Sequence, residues 1–240
     1  MRFETQFTQA FIRRSLPESA RRVLEIGCGS GELAASLLRD GVSLIAIDND
    51  IDSIAAAQES GVDARIATWP DFADAPFDAV LFTRSLHHIH PLGEAVQRAA
   101  DTLVIGGRLI VEDFGYETTD ENTLHWFGEV IDRLDHAGVL INGDDFLSAV
   151  RSKTETLKAW RENHEANLHT AAAILAEIRR VFGEVRSEEV PYYFRYLAPA
   201  IVPTADRDKI LQDLAEEEAG LIATGTFLAL GRRFLAERSK

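Results

Sequence analysis

Val23-Leu-Glu-Ile-Gly-Cys-Gly-Ser-Gly31 decides the reading of this chain. A short apolar run ends in glycines at alternate positions, and a helical pattern follows from about Glu32. Glycine takes backbone dihedrals closed to other residues and lets a ligand come close to the main chain. The N–H groups that open the next helix then favour an anionic ligand group. A second apolar run, Ser43-Leu-Ile-Ala-Ile-Asp48, ends in a carboxylate. Strand, glycine turn, helix, strand and acid within a few tens of residues is the arrangement that grips a ribose diol. The stretch therefore predicts an adenosine-containing ligand.

Two readings of that ligand compete. A dinucleotide site shows Gly-x-Gly-x-x-Gly, because a pyrophosphate lies on the helix terminus. Here the pattern is Glu25-x-Gly27-x-Gly29-x-Gly31, with an acid before the first glycine. Further along stand Phe77-Asp-Ala-Val-Leu81, Leu86-His-His-Ile89 and Ile105-Gly-Gly-Arg-Leu-Ile-Val111. With these motifs, in this order, the chain resembles the class I S-adenosylmethionine (SAM)-dependent methyltransferases, in particular the type 11/12-like small-molecule enzymes. The resemblance is carried by residues 20 to 115 and beyond them only by the order of elements. An NAD-type or degenerate Rossmann domain is the competing reading.

Strand patterns near 22–27, 43–48, 63–67, 77–82 and 107–113 alternate with helical ones near 31–40, 51–59 and 91–104. Such alternation predicts an α/β fold with a parallel sheet and right-handed crossovers. Ligands in such sheets bind at the carboxyl ends of the strands, where Gly27, Asp48, Thr68, Thr83 and Glu112 fall. The resemblance implies a Rossmann-like, seven-stranded, mostly parallel sheet with helices on both faces and a closing antiparallel pair. Residues 1–20 read as an amphipathic helix with Phe3, Phe7, Ala10 and Phe11 on one side, ended by Pro17. It is expected either to pack over the cofactor site or to cover the sheet edge.

After Val111 the rhythm breaks. Residues 114–168 carry helical patterns near 120–137, with Asp120 as cap, from Gly143-Asp144, and near 154–167. They are expected to form a helical lid inserted after the fifth strand. A helix at 169–182, a strand near 184–190, a helix near 204–219 and a strand near 223–234 complete the pattern. The expected organisation is one domain: an N-terminal helix 1–20, a cofactor-binding core 21–113, the lid 114–168, and the rest of the sheet in 169–240.

Composition sets limits. A length of 240 residues with 46% hydrophobic and 27% charged residues fits one soluble globular domain. No apolar run reaches about 18 residues, and no signal-peptide pattern opens the sequence. Cys28 is the single cysteine, so no internal disulfide or thiolate metal cluster forms within one chain. A cytoplasmic setting is the expectation, with no membrane contact. The net charge of −14 leaves no basic face for phosphates, which argues against a nucleic-acid partner. A small-molecule acceptor is the expected partner, and a homodimer stays open.

For SAM, the resemblance assigns Glu25, Gly27, Gly29 and Gly31 to the methionine end and Asp48 to the ribose hydroxyls, with Asn49 beside it. Cys28 would fill space under the loop, and Thr83 would line the methyl-donor pocket. Such enzymes commonly place an acid after the third strand for the adenine amino group. This chain has Ala67-Thr-Trp-Pro70 there. Thr68 or backbone would replace the acid, and Trp69 would either stack on adenine or pack at the rim.

Methyl transfer from a sulfonium needs a positioned, desolvated nucleophile, and a base only where the acceptor loses a proton. The candidate bases are His87 and His164. His87 and His88 are adjacent, so at most one faces the site, and His88 is the expected packing residue. Arg84 would pair with an acidic substrate or with Asp113. Candidate acceptor contacts are His87, His125, Trp126, Trp160, His164 and Tyr192. The run His164-Glu-Ala-Asn-Leu-His169 has one residue too many for H-E-x-x-H, and no carboxylate cluster emerges, so no metal is expected. The expected activity is methyl transfer to oxygen or nitrogen of a small molecule. The alternatives are a protein methyltransferase, a non-catalytic SAM-binding regulator, and other chemistry on the same fold.

Overall fold

The computed structural model describes all residues except 19, 75, 142, 143, 153, 154, 165, 166, 205 and 240. The expected helix start at Gly143 lies outside the described residues. The strands β1 (Val23–Ile26), β2 (Leu44–Asp48), β3 (Asp63–Ile66), β4 (Phe77–Thr83), β5 (Leu103–Phe114), β6 (Val185–Val190) and β7 (Gly231–Glu237) form one sheet in the order β3-β2-β1-β4-β5-β7-β6. β1 pairs in parallel with β2 and β4, β2 with β3, and β4 with β5. Gly106 and Gly107 exchange backbone hydrogen bonds with Arg238, and Gly115 N–H donates to Leu230 O. That falling register makes β7 antiparallel to β5.

The strand period of two sorts the core onto two faces. Leu24, Ile26, Ile45, Ile47, Val80 and Phe82 point one way, onto α4 (Leu92–Thr102) and α8 (Ala171–Phe182). Val23, Leu44, Ala46, Ala79, Leu81 and Ile110 point the other way, onto α1 (Phe3–Ser15), α2 (Glu32–Arg39) and α3 (Ile51–Glu59). Each large aliphatic side chain buried here stabilises the fold by about 1.5–3 kcal/mol. Asp50 caps α3 by accepting from Ser53 N–H at 2.7 Å, a contact worth about 1 kcal/mol. Asp48 is thereby left outside the helix.

Two compact units divide the chain. The first contains residues 1–113, 171–188 and 232–240, which is the sheet and its helices. The second contains 114–170 and 189–231. It is larger than the expected lid, because α9 (Phe194–Leu197) and α10 (Arg207–Ala223) belong to it with α5 (Glu121–His136), α6 (Asp145–Arg151) and α7 (Thr156–His164). Asp120 caps α5, its carboxylate accepting from Thr123 N–H at 2.8 Å.

Two boundaries and one helix face differ from expectation. The last strand starts at Gly231 rather than near 223, because α10 runs on to Ala223. The apolar run Leu221-Ile222-Ala223 suits either element, and an established helix continues cooperatively. On α1, Ala10 is exposed, while Thr8, Phe11, Ile12 and Ser15 are buried. The buried face thus includes a hydroxyl with a specific partner, described below. Among the described residues no helix is long and apolar enough to cross a membrane.

Candidate cofactor site

The carboxyl ends of β1, β2 and β4 meet around the glycine loop. Gly27, Gly29 and Gly31 all have positive φ, at 74°, 51° and 73°. Two of them are fixed by close approach as well. A Cβ on Gly27 would stand 2.5 Å from Ser85 Cβ, and one on Gly31 would stand 2.6 Å from Ala57 Cβ. Side chains are thus excluded by the turn after β4 and by α3.

Asp48 ties β2 to this loop. Its Oδ2 accepts from Gly29 N–H at 2.8 Å and its Oδ1 from Asp50 N–H at 3.0 Å. A carboxylate has about four acceptor sites, so two remain for hydroxyls. Asp48, Asn49, Thr68 and Trp69 border a cavity of about 500 Å³ with Gly27 and Gly29. Trp69 is 5% exposed, and its indole N–H donates to Ala95 O at 3.0 Å. Its ring meets Phe82 edge-on, so the side chain packs into the core below the cavity. Thr68 is exposed at the same wall.

A second cavity of about 270 Å³ shares Gly27, Gly29 and Arg84 with the first, and Glu25 and Thr83 lie in its wall. Glu25 is buried, with Oε1 accepting from the Thr83 hydroxyl at 3.0 Å. Oε2 is also buried, and no described residue donates to it. Burial pushes the Glu25 carboxyl up to about 7, against the opposing pull of the Thr83 hydrogen bond and the Arg84 charge. A buried acceptor without a donor is costly, and a ligand ammonium supplies both donor and charge. Cys28 sits in the same wall, its thiol pushed up to about 12 by burial and by Glu25 and Asp48. A thiol held so far from ionisation is not poised as a nucleophile.

Together the cavities match the parts of SAM. An acid with two open acceptor positions meets a diol, an orphaned buried carboxylate oxygen meets an ammonium, and a side-chain-free loop meets the chain between them. Nothing in the cleft is arranged for a pyrophosphate on Gly-x-Gly-x-x-Gly, which sets the dinucleotide reading aside.

The histidines are placed differently from expectation. A 3-10 turn at Leu86–His88 follows β4. His87 is buried against β5, with Nδ1 at 2.7 Å from Asp113 Oδ1 and its backbone N–H 3.2 Å from Oδ2. His88 and His90 instead border the larger cavity. Desolvation and the neighbouring His87 hold the His88 imidazole below its usual range, so it is neutral at pH 7. Of the two adjacent histidines, the one that borders the cleft is His88. Asp113, far away in sequence, claims His87. It was also the expected alternative partner of Arg84, which borders both cavities instead.

The other expected acceptor contacts lie in the second unit, where most are structural. Trp160 is fully buried and donates its indole N–H to Tyr116 O at 2.9 Å. His164 has Nδ1 2.6 Å from Trp160 O and Nε2 2.8 Å from Tyr196 Oη. The carbonyl requires a proton on Nδ1, so Nε2 accepts from the Tyr196 hydroxyl. With both nitrogens engaged, His164 is a joint in an aromatic core rather than a poised base. Trp126 donates to Glu217 at 2.9 Å, and Tyr192 stacks on Phe114 at 5.1 Å. His125 is exposed, pairs with Glu129 at 3.1 Å, and borders a polar groove of about 670 Å³.

Sequence reading left α1 either over the cofactor site or at the sheet edge, and named none of its residues as site residues. Arg2, Thr5 and Thr8 line the smaller cavity, so the helix borders the cofactor site. Thr8 Oγ1 donates to Glu112, whose other oxygen accepts from Arg233 Nε at 2.7 Å. Only the polar interruption of an apolar helix face by Thr8 signals this.

A family model described as a methyltransferase domain matches residues 2–170, more than half of the chain. The chain belongs to the class I methyltransferase-domain family. Among curated proteins, the ubiquinone biosynthesis O-methyltransferase of Xylella fastidiosa (strain 9a5c) is 38% identical over 110 residues, 42% of this chain and 45% of that protein. The trans-aconitate 2-methyltransferase of Mycobacterium tuberculosis (strain ATCC 25177 / H37Ra) is 34% identical over 98 residues, 40% and 38% of the two chains. The matches thus span less than half the length of these curated relatives. Among solved structures, Haemonchus contortus phosphoethanolamine N-methyltransferase 2, in complex with S-adenosyl-L-methionine, superposes with a TM-score of 0.61 over 98% of this chain and 53% of that one. At 16% identity that likeness speaks for the fold.

Proposed function

We propose that this methyltransferase-family protein binds SAM in the cleft of its first unit and transfers a methyl group to an oxygen or nitrogen of a small-molecule acceptor. The observation that carries the reading is the buried, donor-less Glu25 Oε2 in one cleft with Asp48 and the glycine loop. When bound, SAM supplies an electrophilic methyl on a neutral leaving group. The chain does the positioning. Asp48 takes the ribose hydroxyls, with Asn49 beside it. Thr83 orients Glu25 toward the ammonium. Thr68 and neutral His88 offer acceptors to the adenine amino group in place of the usual acid.

For an acceptor that loses a proton, His87 is the base we assign; it borders neither of the two cavities described, so this role requires the Leu86–His88 turn to shift when the acceptor binds. Asp113 accepts from its Nδ1–H, which fixes the tautomer and leaves the lone pair on Nε2. The O-methyltransferase and 2-methyltransferase names of the relatives support a small acceptor.

The test is incubation of pure protein with methyl-labelled SAM and a cell extract split by size. Label in the small-molecule fraction is the expected result. Label in protein overturns the acceptor class, and SAM binding without transfer to any fraction overturns the catalytic reading in favour of a regulator.

A further inference from the structure

Arg84 is the first residue after β4, and it borders both cavities of the cleft. Its φ is +60°, a left-handed conformation that strains a residue with a Cβ. The neighbours hold it there. Arg84 N–H donates to Glu112 O at 2.7 Å, and Ser85 Oγ donates to Ile26 O at 2.6 Å. The guanidinium is exposed, and no hydrogen bond or ion pair engages it among the described residues. A long cation is thus presented at the junction of the two cavities.

The charges around it assign its partner. The smaller cavity carries Glu25 and Glu32 as acids and Arg2 and Arg84 as bases. Arg2 is taken: its backbone N–H and its guanidinium both donate to Glu32. Glu25 is matched to the ammonium of a bound amino acid moiety. The carboxylate of that moiety needs a cation, and Arg84 is the one left to supply it.

We propose that Arg84 is the residue that grips the α-carboxylate of the cofactor. The proposal rests on the cofactor reading above. A guanidinium gives a carboxylate two parallel N–H···O bonds, which a neutral amide cannot match.

The test compares two ligands on wild type, Arg84→Gln, Arg84→Lys and Arg84→Gly by calorimetry. One is S-adenosylhomocysteine. The other is its decarboxylated analogue, which keeps the ammonium and lacks the carboxylate. Arg84→Gln is expected to lose at least tenfold in affinity for S-adenosylhomocysteine and less than twofold for the analogue. Arg84→Lys, which keeps the charge, recovers part of the loss. Arg84→Gly relieves the left-handed strain, so it folds at least as stably as wild type while binding S-adenosylhomocysteine as weakly as Arg84→Gln. Unchanged affinity in Arg84→Gln, or equal losses on both ligands, overturns the role of Arg84 alone. Failure of wild type to bind S-adenosylhomocysteine overturns the cofactor reading on which it rests.

Discussion

The Thr8 hydroxyl lies 2.6 Å from Glu112 Oε1, joining the N-terminal helix to the fifth strand inside the protein. Glu112 also pairs with Arg233, and both side chains are almost fully buried. The Arg233 guanidinium lies over the rings of Phe7 and Phe11, at 4.5 and 4.7 Å. A buried pair of this kind is weak net stabilisation, but breaking it strands a charge. Glu112→Ala should therefore destabilise the protein by about 3–5 kcal/mol. Thr8→Val, which removes one hydrogen bond to a charged group, should remove about 1.5–3 kcal/mol. Because α1 brings Arg2, Thr5 and Thr8 to the smaller cavity, Thr8→Val should also weaken S-adenosylhomocysteine binding. Urea unfolding and calorimetry check both; a Thr8→Val protein with wild-type stability and affinity would show that α1 is held elsewhere.

The glycines of the loop should not be equivalent. A Cβ on Gly27 meets Ser85 Cβ at 2.5 Å, while one on Gly29 finds nothing within 4 Å. Gly27→Ala should abolish measurable S-adenosylhomocysteine binding, and Gly29→Ala should reduce it modestly through its positive φ. Adding Ser85→Gly to Gly27→Ala removes the clashing atom and should restore part of the affinity. No rescue in the double variant would mean that the backbone angle at Gly27, and not Ser85, excludes a side chain.

Glu25 gives the unliganded protein a pH dependence of definite sign. Its carboxyl ordinarily titrates at 4.5, and burial raises it to about 7 in the folded state. The folded protein therefore holds a proton that the unfolded chain has released across that interval. Stability contributed by this group is full below about pH 4.5 and is lost as pH rises to about 7. Glu25→Gln should be less sensitive to pH in that window. Cofactor affinity should move the opposite way in wild type, rising toward pH 7 and above as the carboxylate ionises to meet the ammonium. Thermal melts and calorimetry at pH 5.5 and 8 for both proteins decide it. Parallel stability profiles would remove Glu25 from the account.

What the sequence made legible was local. β1, the glycine loop, α2 and Asp48 follow one another closely, and each is fixed by its own backbone demands, so the candidate cofactor cleft was legible from spacing. What stayed hidden was set by partners distant in the chain. His87 and His88 are chemically alike, and only Asp113 on β5 decides which is buried. Trp160 and His164 share a helix face, as their spacing requires. That face looks into the second unit's own core, because Tyr116, Phe146 and Tyr196 surround it. Arg84 carries no sequence signal beyond its place after β4. Its interest comes from a backbone angle and from the prior engagement of Arg2 by Glu32.

The assignment of His87 turns on what Asp113 can accept. Its carboxylate accepts from the ring Nδ1–H at 2.7 Å and from the His87 backbone N–H at 3.2 Å. Asparagine keeps the shape but offers one acceptor oxygen, so one of the two must lose its partner. If the backbone N–H keeps the oxygen, the amide NH₂ faces Nδ1 and forces the proton to Nε2, where it blocks a base. Asp113→Asn should then lower kcat by about 10² or more, the scale of a lost general base, while S-adenosylhomocysteine affinity stays within twofold. Arg84 and Glu25 are untouched by the substitution, so a parallel loss of cofactor affinity would instead mark His87 and Asp113 as a brace for the turn after β4. An unchanged kcat would mean that the acceptor reacts without giving up a proton to this pair.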